Sequence, residues 1–254
     1  MQSKENTKKI MLNLGCGFKA SNSPDFINID WSPYLRLNRN PILKFLTKRI
    51  VSKKRLKNFN SIPNNIMVHN LKNGIPFSDN SVDVVYHSHL FEHLDQHIGK
   101  KFLNEINRVL KPGGKVRIVV PDLERLCTDY ISHINESLKN PLMAKNHDKY
   151  IARIIEQSVR RESYATSKQK PIMRYIENLI LGDARSRGET HQWMYDRINL
   201  QFILQEAGFN NFSVQKFNTS SIANWNSYKL DLNENNEAYK WNSIYVEAAK
   251  RNGE

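Results

Sequence analysis

The sequence predicts an α/β fold: a mostly parallel, seven-stranded sheet with helices on both faces. Three observations predict it. Short apolar runs alternate with helical patterns along most of the chain, as strands joined by crossover helices do. "VDVVYHS", residues 82–88, is a near-continuous β-branched run of the kind a strand buried on both faces needs. Gly15-Cys16-Gly17 directly follows the apolar run 10–14, which puts a tight, side-chain-poor turn at a strand end.

The elements follow in order. Residues 10–14 form the first strand and 26–30 the second, with no room for a full helix between them. The stretch 40–59, "NPILKFLTKRIVSKKRLKNF", interleaves seven Lys or Arg with Ile42, Leu43, Phe45, Leu46, Ile50 and Val51. That is a basic amphipathic helix pattern, placed as an insertion over about 36–60. Residues 66–70 form a third strand, 74–81 a turn, and 82–88 the fourth strand. A helix over 96–110 carries Phe102, Leu103, Ile106, Val109 and Leu110 on one side and stops at Pro112-Gly113-Gly114. "KVRIVVP", 115–121, is strand five. Residues 123–182 read as a helical insertion, with a turn-rich gap at Asn140-Pro141. "DRINLQFILQEAGF" is a helix ending at Gly208, and strands near 212–217 and 243–249 close the sheet.

Composition sets bounds. A chain of 254 residues is one generous domain, or one domain with an insertion. No apolar run approaches the ~20 residues of a membrane span. "MQSKENTKKI" is charged and no apolar segment with a cleavage site follows it, so a cytoplasmic location is expected. Cys16 and Cys127 make neither a disulfide framework nor a metal cluster. The net charge of +13 fits an acidic partner, or a general bias to Lys and Asn. The stretch 40–59 fits contact with an anionic membrane or a phosphorylated acceptor, and fits a solvated face equally well.

Ligands of open parallel sheets bind at strand carboxyl ends, where the strand order reverses. Gly15-Cys16-Gly17 lets a ligand touch backbone there. Asp30 ends strand two, where a carboxylate can accept both hydroxyls of a ribose. Asn70 and Leu71 end strand three, where an amide and a backbone N–H can read an adenine edge. The set suits a nucleoside. It suits a pyrophosphate poorly, because no glycine turn runs straight into a helix N-terminus and no Gly-x-x-x-x-Gly-Lys-Ser/Thr loop is present.

Four motifs, in order, resemble a known family. "LNLGCG", "LKNGIPFSDNSVDVVYHSHLFEHL" and "FLNEINRVLKPGGKVRIVVPDLERL" resemble the first, fourth-strand and fifth-strand motifs of class I S-adenosylmethionine-dependent methyltransferases, type-11 group. "THQWMYDRINLQFILQEAGF" with the closing "SIYVEAAK" resembles the tail of a subgroup met in polysaccharide biosynthesis. The resemblance covers about residues 8–125 and 188–250. It implies a Rossmann-like methyltransferase domain over 1–254, with core 8–122 and 188–250 and the helical insertion 123–182 as a lid or acceptor wall. It implies S-adenosylmethionine as cofactor, held by Asn13, Gly15, Cys16, Gly17, Asp30, Asn70, Leu71 and Ser88. Asn13 and Asn70 stand where the family usually has acids, and the third glycine position is not glycine.

The implied chemistry is in-line methyl transfer to a saccharide or other small-molecule acceptor. His191, in the loop before the last large helix, is the first candidate for general base, and Asp122 the second. Tyr130, Tyr150 and Tyr164 are candidates to stack on a sugar. Plainer readings stand beside each: a tight turn for the glycines, an N-cap for Asp30 or Asp122, a turn cap for Asn70, a surface or capping role for His191, core packing for the tyrosines. Ser88 is alternatively a small residue at a crowded turn, and Cys16 a small apolar one. His89, His93 and His97 with Glu92 have the spacing of one helical face, but no cysteine supports a metal site and the family motif accounts for three of the four, so no metal is expected. A nucleic-acid methyltransferase is the second reading, without an Asn-Pro-Pro-Tyr motif or an appended RNA-binding module to support it. A non-catalytic nucleoside binder is the third.

Overall fold

The computed structural model describes residues 9–39, 63–158 and 190–252, with the single positions 172 and 175. Its strands are β1 (Met11–Leu14), β2 (Phe26–Asp30), β3 (Ile66–Val68), β4 (Val82–Ser88), β5 (Leu110–Pro121), β6 (Phe209–Gln215) and β7 (Ser243–Lys250). Its helices are α1 (Pro33–Arg39), α2 (Gln96–Val109), α3 (Leu123–Lys139), α4 (His147–Gln157) and α5 (Arg197–Glu206). They build the expected Rossmann-like sheet of seven strands in the order β3-β2-β1-β4-β5-β7-β6. Strands β1 to β5 pair in parallel, and β7 lies antiparallel between β5 and β6.

Strand alternation divides the core. Leu12, Leu14, Val85, Val116, Ile118 and Val120 face α2 and α5, whose Leu103, Ile106, Leu200 and Leu204 are fully buried or nearly so. Each such side chain stabilises by roughly 1.5–3 kcal/mol. Met11, Val84, Tyr86, Val119 and Tyr245 face the other way, onto Ile222, Trp225 and Leu230. Helix α5 starts where a capping box holds it: the Asp196 carboxylate accepts from the Ile198 and Asn199 amides, and Asn199 accepts from the Asp196 amide.

Element ends differ from expectation where backbone pairing overrides composition. β5 begins at Leu110, because Leu110 already pairs with Val82 before the register shifts at Val84. Pro112-Gly113-Gly114 therefore lies inside the strand as an irregularity, with Gly113 at φ 73°. β3 stops at Val68, and β6 starts at Phe209. In the insertion, α3 and α4 are joined at Asn140, whose side chain caps the Leu142 amide. Tyr150 stacks on His133 with centroids 4.1 Å apart, and Tyr130 lies against His147 at 5.4 Å. These two half-buried tyrosines thus take part in the packing between α3 and α4. Tyr164, most of the basic segment 36–60 and the second half of the insertion lie outside the described residues. Among those described, no helix is long and apolar enough to cross a membrane.

One charged residue sits at the sheet centre. Arg117 of β5 is fully buried. It donates from Nε to Asp231 Oδ2 at 2.8 Å, and from Nη1 to Glu247 Oε1 at 2.5 Å. It also donates to the Thr219 and Lys216 carbonyls. Asp231 further accepts from the Tyr86 hydroxyl and the Trp225 indole, both at 2.7 Å. Removing Asp231 leaves Arg117 Nε, the Tyr86 hydroxyl and the Trp225 indole without their buried acceptor, with Glu247 as the carboxylate still on the guanidinium. Asp231→Ala is expected to cost about 3–5 kcal/mol, read by urea unfolding.

His87 is the converse case. It is fully buried on β4 between Phe91 and Phe102, and both ring nitrogens lack a hydrogen-bond partner. Burial pulls its pKa down to about 4, against a smaller opposing pull from Glu92. The unfolded chain therefore binds more protons between pH 6.5 and 4, and stability falls as pH drops through that window. This group alone accounts for about 3 kcal/mol across it. His87→Phe should remove that part of the acid sensitivity, measured as the difference between unfolding free energies at the two pH values.

Candidate active site

The turn after β1 is built by backbone and two asparagines. Gly15 and Gly17 take left-handed φ of 63° and 51°. The Gly15 and Cys16 amides donate to the Ile29 carbonyl at 2.8 and 3.2 Å, folding the turn over the end of β2. Asn13 donates from Nδ2 to the Lys19 carbonyl and to Asn28 Oδ1. Asn28 in turn accepts from the Ser21 amide and donates to the Ser21 carbonyl. This ladder of side-chain amides holds the connection 15–25 in place of a helix. It also explains why Asn13 is not an acid: an ionised carboxylate cannot donate to the Lys19 carbonyl.

Asp30 ends β2, nearly buried. Its Oδ2 accepts from the Gly17 amide at 2.8 Å and its Oδ1 from the Ser32 amide at 2.6 Å. The N-cap reading of Asp30 is corrected: Ser32 is the residue that caps α1, through Oγ to the Leu35 amide. Asp30 instead ties the glycine turn to β2, with an accepting lone pair left on each oxygen. Asn70 caps the short turn Leu71–Asn73 through the Lys72 amide, the plainer of its two roles.

A pocket of about 210 Å³ opens at the carboxyl ends of β1 and β4. Five of the expected cofactor residues line it: Asn13, Gly15, Cys16, Gly17 and Ser88. Asp30 joins it through Gly17, whereas Asn70 and Leu71 are not part of its wall. Lys19, Tyr86, His89 and Tyr239 line it unforeseen. Lys19 donates to the Leu232 carbonyl and lies 4.7 Å over the Tyr239 ring, so the 231–242 loop closes one side. No local pattern marks Lys19 or Tyr239; only the fold brings them together. Burial pushes the Cys16 thiol up, which removes it as a thiolate nucleophile. A larger depression along 218–227 carries no titratable side chain and lies apart from the glycine turn.

Beside the pocket lies a histidine cluster. His89 sits at φ 51°, with Nε2 2.8 Å from Ser243 Oγ and Nδ1 3.1 Å from Glu92 Oε1. Glu92 is buried, and its backbone carbonyl accepts from the Gln192 and Trp193 amides. Those bonds bring His191 to His93, ring centroids 4.9 Å apart. Burial raises the Glu92 carboxyl, but the neighbouring histidines and its own backbone outweigh it and hold the group below its ordinary value. Burial lowers His93. The helical face of His89, His93 and His97 does not form: 91–93 is a 3-10 turn and His97 is exposed on α2. Asp122 caps α3 through the Arg125 amide, and burial raises its carboxyl. Neither His191 nor Asp122 lines the pocket.

Residues 12–118 match the family model described as a methyltransferase domain. An uncharacterized protein of Methanocaldococcus jannaschii is 33% identical over 147 residues, which cover 57% of this chain and 55% of that protein. The chain thus spans about half the length of the curated relative it matches. Among solved structures, a SAM-dependent methyltransferase from Archaeoglobus fulgidus is 16% identical with a TM-score of 0.41, over 96% of this chain and 87% of that one. The YcgJ protein of Bacillus subtilis is 12% identical with a TM-score of 0.41, over 97% and 93%.

The two glycines separate conformational strain from crowding. A Cβ on Gly17 meets nothing within 4 Å, so Gly17→Ala is expected to cost only the left-handed penalty, about 1–2 kcal/mol. A Cβ on Gly15 meets the Leu90 methyls at 3.0 Å, so Gly15→Ala should cost more in the same urea experiment.

Proposed function

We propose that this protein is an S-adenosylmethionine-dependent methyltransferase acting on a saccharide or other small-molecule hydroxyl. The observation that carries the reading is the placement of the pocket. It lies at the carboxyl ends of β1 and β4, at the point where the strand order reverses, and all of its lining but Tyr239 and Lys240 falls in the stretch that matches the methyltransferase model.

The residues present fit the cofactor. The bare Cα atoms of Gly15 and Gly17 admit close approach, and the free lone pairs of Asp30 suit ribose hydroxyls. Asn70 and Leu71 are assigned to the adenine edge, Ser88 to the methionine half, and Asn13 and Cys16 to the turn that shapes the floor. Bound there, the cofactor supplies an electrophilic sulfonium methyl. The chain's own work is to align the acceptor, exclude water and receive its proton. His191 is assigned the proton: its Nδ1–H is held by the Gln157 carbonyl at 2.9 Å, which leaves Nε2 as the basic atom. Asp122 is the weaker candidate, since its carboxylate already accepts from the Arg125 amide. The domain extent, 8–122 with 188–250, and a cytoplasmic location belong to the same proposal.

Calorimetric titration of S-adenosylhomocysteine into wild-type protein and Asp30→Ala tests it. Micromolar binding that weakens tenfold or more in the variant, about 1.4 kcal/mol, is the expected result. No binding to the wild type overturns the reading. Binding without methyl transfer to any hydroxyl acceptor favours the non-catalytic nucleoside binder.

A further inference from the structure

We propose that Glu92, His93 and His191 form a binding site for a divalent metal ion of the zinc class. Among the described residues, this is the one group of three such side chains whose donor atoms converge, all within 4.8 Å of one another. The group joins the end of β4 to a loop 98 residues further on. The i, i+4 spacing of His89, His93 and His97 is not what forms the group, since His97 is exposed on α2 and His191 takes its place.

Two details of the hydrogen bonding point to a cation. The first is the tautomer of both histidines. His93 Nδ1 lies 3.1 Å from the Thr190 carbonyl, and His191 Nδ1 lies 2.9 Å from the Gln157 carbonyl. A carbonyl only accepts, so each Nδ1 carries the hydrogen and each Nε2 keeps its lone pair. Metal-ligating histidines are held in this way, by a backbone carbonyl on the far nitrogen. The second is the carboxylate. Glu92 is buried, and neither of its oxygens has a hydrogen-bond partner. His89 Nδ1 is 3.1 Å from Oε1 but outside hydrogen-bond geometry, and His93 Nε2 is 4.0 Å away. A buried carboxylate met only by imidazole nitrogens is costly, and a cation offsets that cost directly.

The donor set selects the ion. Two imidazoles with one carboxylate suit Zn²⁺, Co²⁺ or Ni²⁺, whereas Mg²⁺ and Ca²⁺ prefer all-oxygen sites. Zinc bonds of ~2.1 Å in a tetrahedron put ligand atoms about 3.4 Å apart, so closure needs movements of about an ångström. Three protein ligands leave one position open to water or an acceptor oxygen. His89 touches Glu92 and also lines the pocket, so the ion stands one side chain from the pocket wall. An ion held by His191 Nε2 takes the lone pair that otherwise receives the acceptor proton, so in the metal-bound protein the ion would lower the acceptor hydroxyl's pKa in place of that base, the proton passing to solvent; this role rests on the methyl-transfer reading, and the metal site does not.

The test is titration of Co²⁺ into the full-length, chelator-dialysed protein, followed by visible absorption, with Zn²⁺ as competitor. One equivalent bound at micromolar affinity, with the bands of a four- or five-coordinate ion displaced by Zn²⁺, is expected. Loss of an outer partner costs roughly 10–100-fold in metal affinity, so His93→Ala and His191→Ala should lose at least that much. His97→Ala, on exposed α2, should bind as wild type does. No saturable Co²⁺ binding, or unchanged binding in His191→Ala, overturns the site. Glu92→Gln is a further ligand variant, and His191→Ala decides if it fails to fold. S-adenosylhomocysteine binding, measured on the same samples, separates failure of the metal site from failure of the methyltransferase reading.

Discussion

The structure depends on a guanidinium that has no access to water. Arg117 stands in the middle of β5, and a cation there is tolerable only if its donors are met. Two carboxylates and two backbone carbonyls meet them, from β7 and from the segment 216–231. The consequence is architectural. The face of the sheet opposite α2 and α5 is covered by this irregular segment, which is held both by the packing of Ile222, Trp225 and Leu230 and by converging on one charge. Trp225 and Tyr245 complete the enclosure, with the guanidinium carbon 5.0 and 5.5 Å from their ring centroids.

That network reaches the pocket. Tyr86 hydrogen-bonds Asp231 from one side and lines the pocket on the other. The same loop continues to Tyr239, which closes over Lys19. The ligand end of the sheet is thus shaped from two directions. The asparagine ladder Asn13–Asn28 fixes the glycine turn from within the sheet, and the Arg117 network fixes the 231–242 loop from beneath. The ladder stands in for the helix that the short connection 15–25 leaves no room for.

A second buried charge organises the other side. Glu92 draws in the 190s loop through its carbonyl and gathers His89, His93 and His191 through its carboxylate. The Phe91 ring stacks on Tyr195 at 4.9 Å, and Tyr195 pairs with the end of β5 at Asp122. One turn after β4 therefore joins the glycine-turn half of the molecule to the segment that follows the helical insertion.

The strands β1, β2 and β4, helices α2 and α5, and the glycine turn were legible in the sequence, because each is specified by local periodicity or by a turn residue. Gly15, Cys16 and Gly17 line the pocket as the place of the turn on the sheet leads one to expect, and Asn13 and Ser88, to which the family resemblance pointed, line it with them. Strand ends such as Leu110 and Val68 were not legible, since pairing across the sheet decides where a strand starts and stops. The partner of Arg117 lies more than a hundred residues away, and so does that of Lys19. His93 and His191 are likewise read as separate motifs along the chain. The sequence alone determined which short segments form and which face of each is apolar, because those depend on neighbours a few residues apart. Only the tertiary structure decided which charges are buried together and which side chains share a pocket, because those contacts arise when distant segments compete for the same desolvated space.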